Sequence, residues 1–326
     1  MFEEIPNMWT PVLLSRELGD KPKAVVLAGV NLVVYRVNGE VGTLLEHCPH
    51  RGVSLALGKV KEGCLECPFH GWQFKTNGEC AHVPLNPEAK KDNLKTRAFP
   101  TRDLAGLIWV FTGEVAEGEP VVPEALTRKG TVLDYRREVW QTHWTRAMEN
   151  MLDFPHLPWV HGKSIGKALA KSLRRDSRVF QEITPDEHGF RLDFRMDDHE
   201  TNNLWWRRPN AMVLNIMDQP GRYLRVQVFC VPEKTNYTQM ILISASDFGF
   251  FNIFAPLSKL FAPDVLMEDK AVLESSWPMQ VPAPADEKSV ATDKGTLVFR
   301  TWYRKLMRQA AAGSPEERGE VVELNS

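Results

Sequence analysis

The chain has 326 residues, 43% hydrophobic and 25% charged, an ordinary globular composition with length for one large domain or two modest ones. Its Lys+Arg total of 40 nearly balances an Asp+Glu total of 42, which gives no field to gather nucleic acid or an anionic membrane surface. The opening MFEEIPNMWT has no basic stretch followed by an apolar one, and no apolar run of about 18 residues follows, so the expectation is a cytoplasmic protein outside the membrane.

Residues 24 to 45 alternate in short apolar runs, with Asn38-Gly39 as a hairpin signal, and predict short antiparallel strands. The pattern continues through GLIWVFTG (106 to 113). It then gives way to EVAEGEPVVPEAL, where Pro, Gly and acidic residues without periodicity mark a linker. The expected division is an all-β domain over 1–115, a linker over 116–126 and a second domain over 127–326. In that second part Asp134 to Val139 predicts a strand and Thr145 to Leu152 a helix start. FRLDFRMDDH, YLRVQVFCV and YTQMILISASDF alternate as sheet strands, and a last helix is expected over roughly 258–276, ending before Pro278. The fold class that follows is α+β.

Five cysteines, Cys48, Cys64, Cys67, Cys80 and Cys230, are too few and too odd in number for a disulfide framework. Cys48 and His50 stand as C-P-H, and after an interval Cys67 and His70 stand as C-P-F-H. Two loops thus each offer one thiolate and one imidazole, the mixed set that a [2Fe–2S] cluster of raised potential requires. Gly52 and Gly71 let the backbone approach a bound group, and Pro49 and Pro68 stiffen the tips. A Cys₂His₂ zinc site uses the same ligand types but rarely C-x-H pairs. Reading Cys64 and Cys67 as a C-x-x-C dithiol would strand both histidines.

The run C-P-H-R-G through C-P-F-H-G-W resembles the Rieske domain of ring-hydroxylating and related non-heme iron oxygenases, with Arg51 and Trp72 matching the flanking pattern. The resemblance implies that Cys48 and Cys67 bind one iron and His50 and His70 the other.

An electron carrier needs about a hundred residues, so the remainder calls for another function. In ENMLDFPHLPWVH, Asp153, His156 and His161 lie in a segment broken by Pro155 and Pro158, and a distorted helix there can turn both imidazoles to one point. Two His with a distant carboxylate make the facial triad of a non-heme Fe(II) site. The pattern N-x-x-D-x-x-H-x4-H also resembles the catalytic domain of the same oxygenases. That resemblance implies that His156 and His161 hold a mononuclear Fe(II) and that Asn150 lies near it. It also implies that Asp153 bridges a neighbouring subunit's Rieske histidine to an iron-ligating one. The same resemblance implies a third ligand from an acidic residue on a late helix, in LMEDKAVLESSWP, with Asp269 chosen and the adjacent Glu268 as competitor.

The resemblance further implies a helix-grip, START-like catalytic domain, a head-to-tail homotrimer, and electrons from a separate reductase, with or without a ferredoxin. No nicotinamide, flavin or plant-type ferredoxin motif is visible. The expected activity is O₂-dependent oxidation of a small organic substrate, aromatic or polycyclic, in a pocket lined by NNLWWRRPNAMVLNIM and VQVFCV. The rival reading is a Rieske electron carrier with a non-catalytic second domain. Trp205 and Trp206 are expected in a core or interface, and Arg207 and Arg208 at the surface.

Overall fold

The structure is a computed structural model of the chain and describes residues 1–219, 222–247 and 263–312. The chain divides into two compact units, one of Met1–Val122 with Glu233–Thr235, the other of Pro123–Pro232 with Asn236–Ser326.

The first unit is all β apart from short 3-10 turns. In chain order its strands are β1 (Trp9–Leu14), β2 (Lys23–Leu27), β3 (Val30–Val37), β4 (Glu40–Leu45), β5 (Lys59–Lys61) and β6 (Cys64–Glu66). They continue with β7 (Gln73–Phe74), β8 (Cys80–His82), β9 (Ala98–Phe99), β10 (Thr101–Leu104) and β11 (Leu107–Phe111). These form three antiparallel sheets, ordered β1-β11-β10, β2-β3-β4-β9 and β5-β6-β7-β8. The expected hairpin is present: Val37 pairs with Glu40, and Asn38 and Gly39 both have positive φ, as a tight two-residue turn requires. Of the loops bearing the paired Cys and His, the first follows β4 and the second joins β6 to β7, beside a core that includes Val33, Tyr35, Leu55, Leu65 and Phe74.

The second unit is built on a seven-stranded sheet ordered β12-β18-β17-β16-β15-β14-β13. Its members are β12 (Val132–Trp140), β13 (Val179–Asp186), β14 (Gly189–Met196), β15 (Asn202–Arg207), β16 (Ala211–Gln219), β17 (Arg222–Lys234) and β18 (Tyr237–Ser246). The first strand of the unit therefore pairs with the last, β12 running antiparallel to β18 along its whole length. Helices α1 (Trp144–Leu152), α2 (Leu157–Val160), α3 (Lys167–Ser172), α4 (Pro263–Leu273) and α5 (Lys294–Ala312) complete the unit among the described residues. Helix α1 packs against α4, α5, β16 and β18, so an α+β layer of helices lies against the sheet.

One expectation needs correcting. The helix read over 258–276 is observed as α4 from Pro263, the stretch 258–262 and the Asp264 side chain lying outside the described residues. It is not the last helix: α5 follows, and its Phe299 and Tyr303 are buried against Trp144, with Phe299 also on Trp206. Trp206 thus sits in this core, as expected, whereas Arg207 pairs with Asp186.

Helices α1 and α5 are also joined by buried charge. Arg300 bonds Glu149 and Glu287, and Arg146 bonds the same two carboxylates. Arg146, Glu149 and Arg300 are each buried, so every charge depends on its partners for solvation. Removing one cation leaves two carboxylates to share the other: Arg300→Ala is expected to destabilise the unit by about 3 kcal/mol, read as a lower denaturation midpoint for the transition followed by tryptophan fluorescence.

Candidate metal centres and substrate cavity

The two ligand loops of the first unit have one main-chain frame. In the first, Cys48 N–H donates to Val53 O at 2.9 Å and Gly52 N–H to Cys48 O at 2.9 Å. In the second, Cys67 N–H donates to Trp72 O at 2.8 Å and Gly71 N–H to Cys67 O at 3.0 Å. Both glycines have φ near +70°, a conformation that side-chain-bearing residues resist. The frames differ in where the imidazole stands, two residues after Cys48 but three after Cys67. The result brings His50 and His70 together with ring centroids 4.6 Å apart, and Cys48 and Cys67 into thiol–thiol contact.

Cys48 and Cys67 are buried, and burial pushes the Cys48 thiol up to about 11. His50 titrates below its ordinary value because of its desolvation and the neighbouring His70 and Arg51, which keeps its ring neutral. Its Nδ1 is buried with no hydrogen-bond partner, and Trp72 stacks on the ring at 4.4 Å and 6°. Two sulfurs, two imidazoles and an orphaned ring nitrogen are a donor set that a [2Fe–2S] cluster fits. Cys64, Cys80 and Cys230 are buried free thiols outside this set.

In the second unit, α1 ends at Asp153, and the chain turns through Phe154 and Pro155 into the single turn of α2. His156 stands at its N-cap and His161 at its C-cap. The expected distorted helix is therefore two helices with a break, and the break faces both rings inward. Gly166 makes the following turn possible. Its N–H caps His161 O at 2.9 Å, and a Cβ there would collide with the carbonyl of Leu157.

The hydrogen bonds of the two rings fix which nitrogens remain free. Asp153 Oδ2 accepts from His156 Nδ1 at 3.2 Å and from the His156 backbone N–H at 3.1 Å. Glu268 Oε2 accepts from His161 Nδ1 at 2.7 Å and from Ser164 Oγ at 2.6 Å. Each imidazole carries its proton on Nδ1, and both Nε2 lone pairs point toward Asp269 Oδ1, 3.0 Å from His161 and 3.7 Å from His156. That oxygen is buried and accepts no hydrogen bond. With both rings neutral, three acceptors converge without a donor and repel one another, and a proton on His161 or a cation among them removes the conflict; the atoms lie within 4.8 Å of one another, which suits a 2-His-1-carboxylate iron site. Asp269, not Glu268, is thus the carboxylate brought to both rings. Asn150, with Nδ2 buried and unpartnered, stands beside the same cavity.

That cavity, of about 520 Å³, reaches from His156, His161 and Asp269 to the face of the sheet. As expected from the sequence, Leu204, Met212, Leu214, Ile216, Val226 and Val228 line it, with Phe154 and Phe194. Trp205 is absent from its wall and instead meets the guanidinium groups of Arg191 and Arg225.

Sequence reasoning missed Glu268 as the partner of His161. The signal was present, since adjacent helical residues project about 100° apart, so of two neighbouring acids only one can face a given ring nitrogen. It also missed Asp134, Ser244 and Ser246 as cavity residues, because polar positions alternating with Ile243 and Ala245 read as a solvated strand face.

Comparison with known proteins agrees with this geometry. Residues 8–100 match the Rieske [2Fe-2S] domain, and residues 140–309 match the vanillate O-demethylase oxygenase C-terminal domain. Methylxanthine N1-demethylase NdmA of Pseudomonas putida is 28% identical, over 98% of this chain and 94% of its own length. The N3-demethylase NdmB of the same organism is 26% identical over 97% and 93%. A structure of P. putida CBB5 NdmA with theobromine superposes with a TM-score of 0.79 at 25% identity, covering 98% of both chains. Dicamba monooxygenase bound to dicamba shares the fold, with a TM-score of 0.80 at 22% identity over 95% and 99%. No described helix is long and apolar enough to cross a membrane.

His161 also sets how the second centre responds to pH. Burial opposes a charge on this ring, but Asp269 and Glu268 outweigh it and raise its pKa above the ordinary histidine value. Without a metal the site draws a proton, and a metal must displace it. Fe(II) affinity is therefore expected to hold at alkaline pH and to fall by about tenfold per pH unit below that raised value, as an anaerobic calorimetric titration between alkaline and mildly acid pH would show. Affinity independent of pH across that range would contradict the proton displacement.

Proposed function

Because the chain belongs to the Rieske oxygenases with a catalytic domain of the vanillate O-demethylase type, we propose that it oxidatively demethylates or hydroxylates a small, largely apolar aromatic molecule. We assign Cys48, Cys67, His50 and His70 to the cluster, and His156, His161 and Asp269 to the mononuclear iron. The observation that supports this most directly is the convergence of two Nε2 atoms and Asp269 Oδ1 at the end of an apolar cavity. A Rieske carrier with an idle second domain has no use for that arrangement.

Bound in these sites, the cluster supplies electrons one at a time and the iron supplies the redox chemistry with O₂. Removing a methyl group as formaldehyde consumes one O₂, two electrons and two protons and yields water. The chain carries no reductase motif, so the electrons come from a separate protein.

The residues divide the remaining work. Asp153 and Glu268 hold the two imidazoles in the Nδ1–H tautomer and turn their Nε2 atoms inward, and Ser164 in turn holds Glu268. Leu214, Val226, Val228 and Phe194 exclude water from the end of the cavity and bed the substrate's ring. Asn150 lies on the cavity wall, its buried amide N–H₂ without a hydrogen-bond partner among the described residues.

Asp153 has a second task in this reading. It uses only Oδ2 on His156, its side chain is 27% exposed, and Oδ1 is open to a partner. On the first unit, Phe69 beside the His70 ring and Leu57 are exposed, at 59% and 75%. We take these as the faces through which a neighbouring subunit's cluster meets Asp153 in a head-to-tail trimer, with Asp153 accepting an imidazole N–H on each side.

The ligand assignment predicts about three irons and two acid-labile sulfides per chain. Asp269→Ala should lose one iron and all turnover while keeping the cluster's visible spectrum. Glu268→Gln, which retains an acceptor for His161 Nδ1, should keep most of its iron. The reverse pattern would make Glu268 the ligand.

Asp153→Asn preserves size and one acceptor but removes the charge shared by two rings. Both metals should stay bound while the pre-reduced cluster remains reduced on exposure to substrate and O₂. Reoxidation as fast as in the parent protein, with equal product, would reduce Asp153 to a structural residue.

A further inference from the structure

The floor of the cavity changes character across a single strand boundary. On β16 and β17 the residues that face it, such as Leu214 and Val226, are apolar. On β12 and β18 the same face carries Asp134, Arg136, Ser244 and Ser246, with the apolar Val132 and Leu242 at opposite corners. Register makes these a patch and not a scatter, because Asp134 lies directly opposite Ser244, and Ser246 is the next cavity-facing residue on its strand. Side chains in such cross-strand pairs have Cβ atoms about 5 Å apart.

The Ser244 and Ser246 hydroxyls are half-buried and have no hydrogen-bond partner among the described residues, whereas most hydroxyls so placed find one. Asp134 lies 3.5 Å from Arg136, so the strip offers acceptors and donors side by side. A carboxylate docking on Ser244 would face the Asp134 carboxylate directly across the strand pair, whereas Arg136 stands opposite Leu242 and is already engaged with Asp134, so like charges repel at that point. An uncharged group with one N–H and one C=O, or a phenol, can donate to Asp134 and accept from the serines at once.

We propose that this β12–β18 strip is the specificity site of the cavity and recognises an uncharged, amide-like edge of the substrate, with the apolar ring lying over Leu214 and Val226. The enzyme's substrates are then neutral aromatic or heteroaromatic molecules with a hydrogen-bonding edge, and aromatic acids are rejected. This inference rests on the cavity being the oxygenase's substrate site.

The test uses the metal-loaded full chain and three probes of similar size: 3-methoxybenzamide, 3-methoxybenzoate and anisole, with binding measured by calorimetry and turnover with a surrogate reductase and O₂. The benzamide should bind at least about tenfold more tightly than the benzoate. The double variant Ser244→Ala, Ser246→Ala should weaken benzamide binding by roughly tenfold and leave anisole unchanged. Asp134→Asn should remove most of the discrimination against the benzoate. All variants should keep the cluster spectrum and iron content of the parent, since none of these residues touches a metal ligand. Benzoate binding as tight as benzamide, benzamide failing to bind at millimolar concentration, or a double variant indistinguishable from the parent would each overturn the assignment. Should benzamide bind with the expected preference while no bound molecule is ever oxidised, the oxygenase reading would fail and the specificity site would stand.

Discussion

His156 and His161 each donate an Nδ1–H hydrogen bond to a carboxylate, and the rest of the site depends on that. With Asp153 on one ring and Glu268 on the other, neither histidine can flip its tautomer without losing a charge-assisted hydrogen bond. The Nε2 lone pairs are thereby committed to the space in front of Asp269, and a pocket of mutually repelling acceptors becomes a receptor for a divalent ion. The fold supplies the means: the break between α1 and α2 orients one ring, the turn at Gly166 seats the other, and α4 delivers two adjacent acids to opposite nitrogens of the same imidazole. The buried Arg and Glu network that ties α1 to α5 holds the helix leading into this break.

The residues we assign to the two metal centres were legible in the sequence because their chemistry is local. Cys48 and His50, or Cys67 and His70, are held by loops of six residues whose Pro and Gly are visible in the string, and His156 and His161 flank one helical turn. The cavity's apolar lining was also legible, because β16 and β17 alternate. What sequence could not separate was Asp269 from Glu268, since the choice depends on the azimuth at which α4 meets a ring more than a hundred residues away. Ser244 and Ser246 were missed for a related reason. Alternation says that a strand has two faces, but not that the polar one lines a cavity, and only the pairing of β12 with β18 settles that. The α5 helix escaped as an element because its apolar residues pack against Trp144 and Trp206, partners remote in sequence.

The two units respond to their ligands' charges in different ways. In the first, burial holds the Cys48 thiol protonated and keeps His50 neutral, so cluster assembly must expel thiol protons from a closed place. In the second, acidic neighbours draw a proton onto His161, so the same ion that completes the site also relieves its charge. Cluster insertion and iron binding are therefore both proton-releasing, but the first is opposed by desolvation and the second is favoured by electrostatics.

The loops around Cys48 and Cys67 share one main-chain frame yet place their histidines at different positions within it. The shape of each tip is thus written in backbone hydrogen bonds and two glycine conformations, not in the ligands it presents. A scaffold of this kind moves little when an electron arrives, because the atoms that would have to shift are already held by the chain and not by the metal. The reorganisation energy of electron transfer is kept low by the peptide backbone itself. For the same reason the identity of a ligand, and with it the driving force of the transfer, can change in evolution without the loop having to refold.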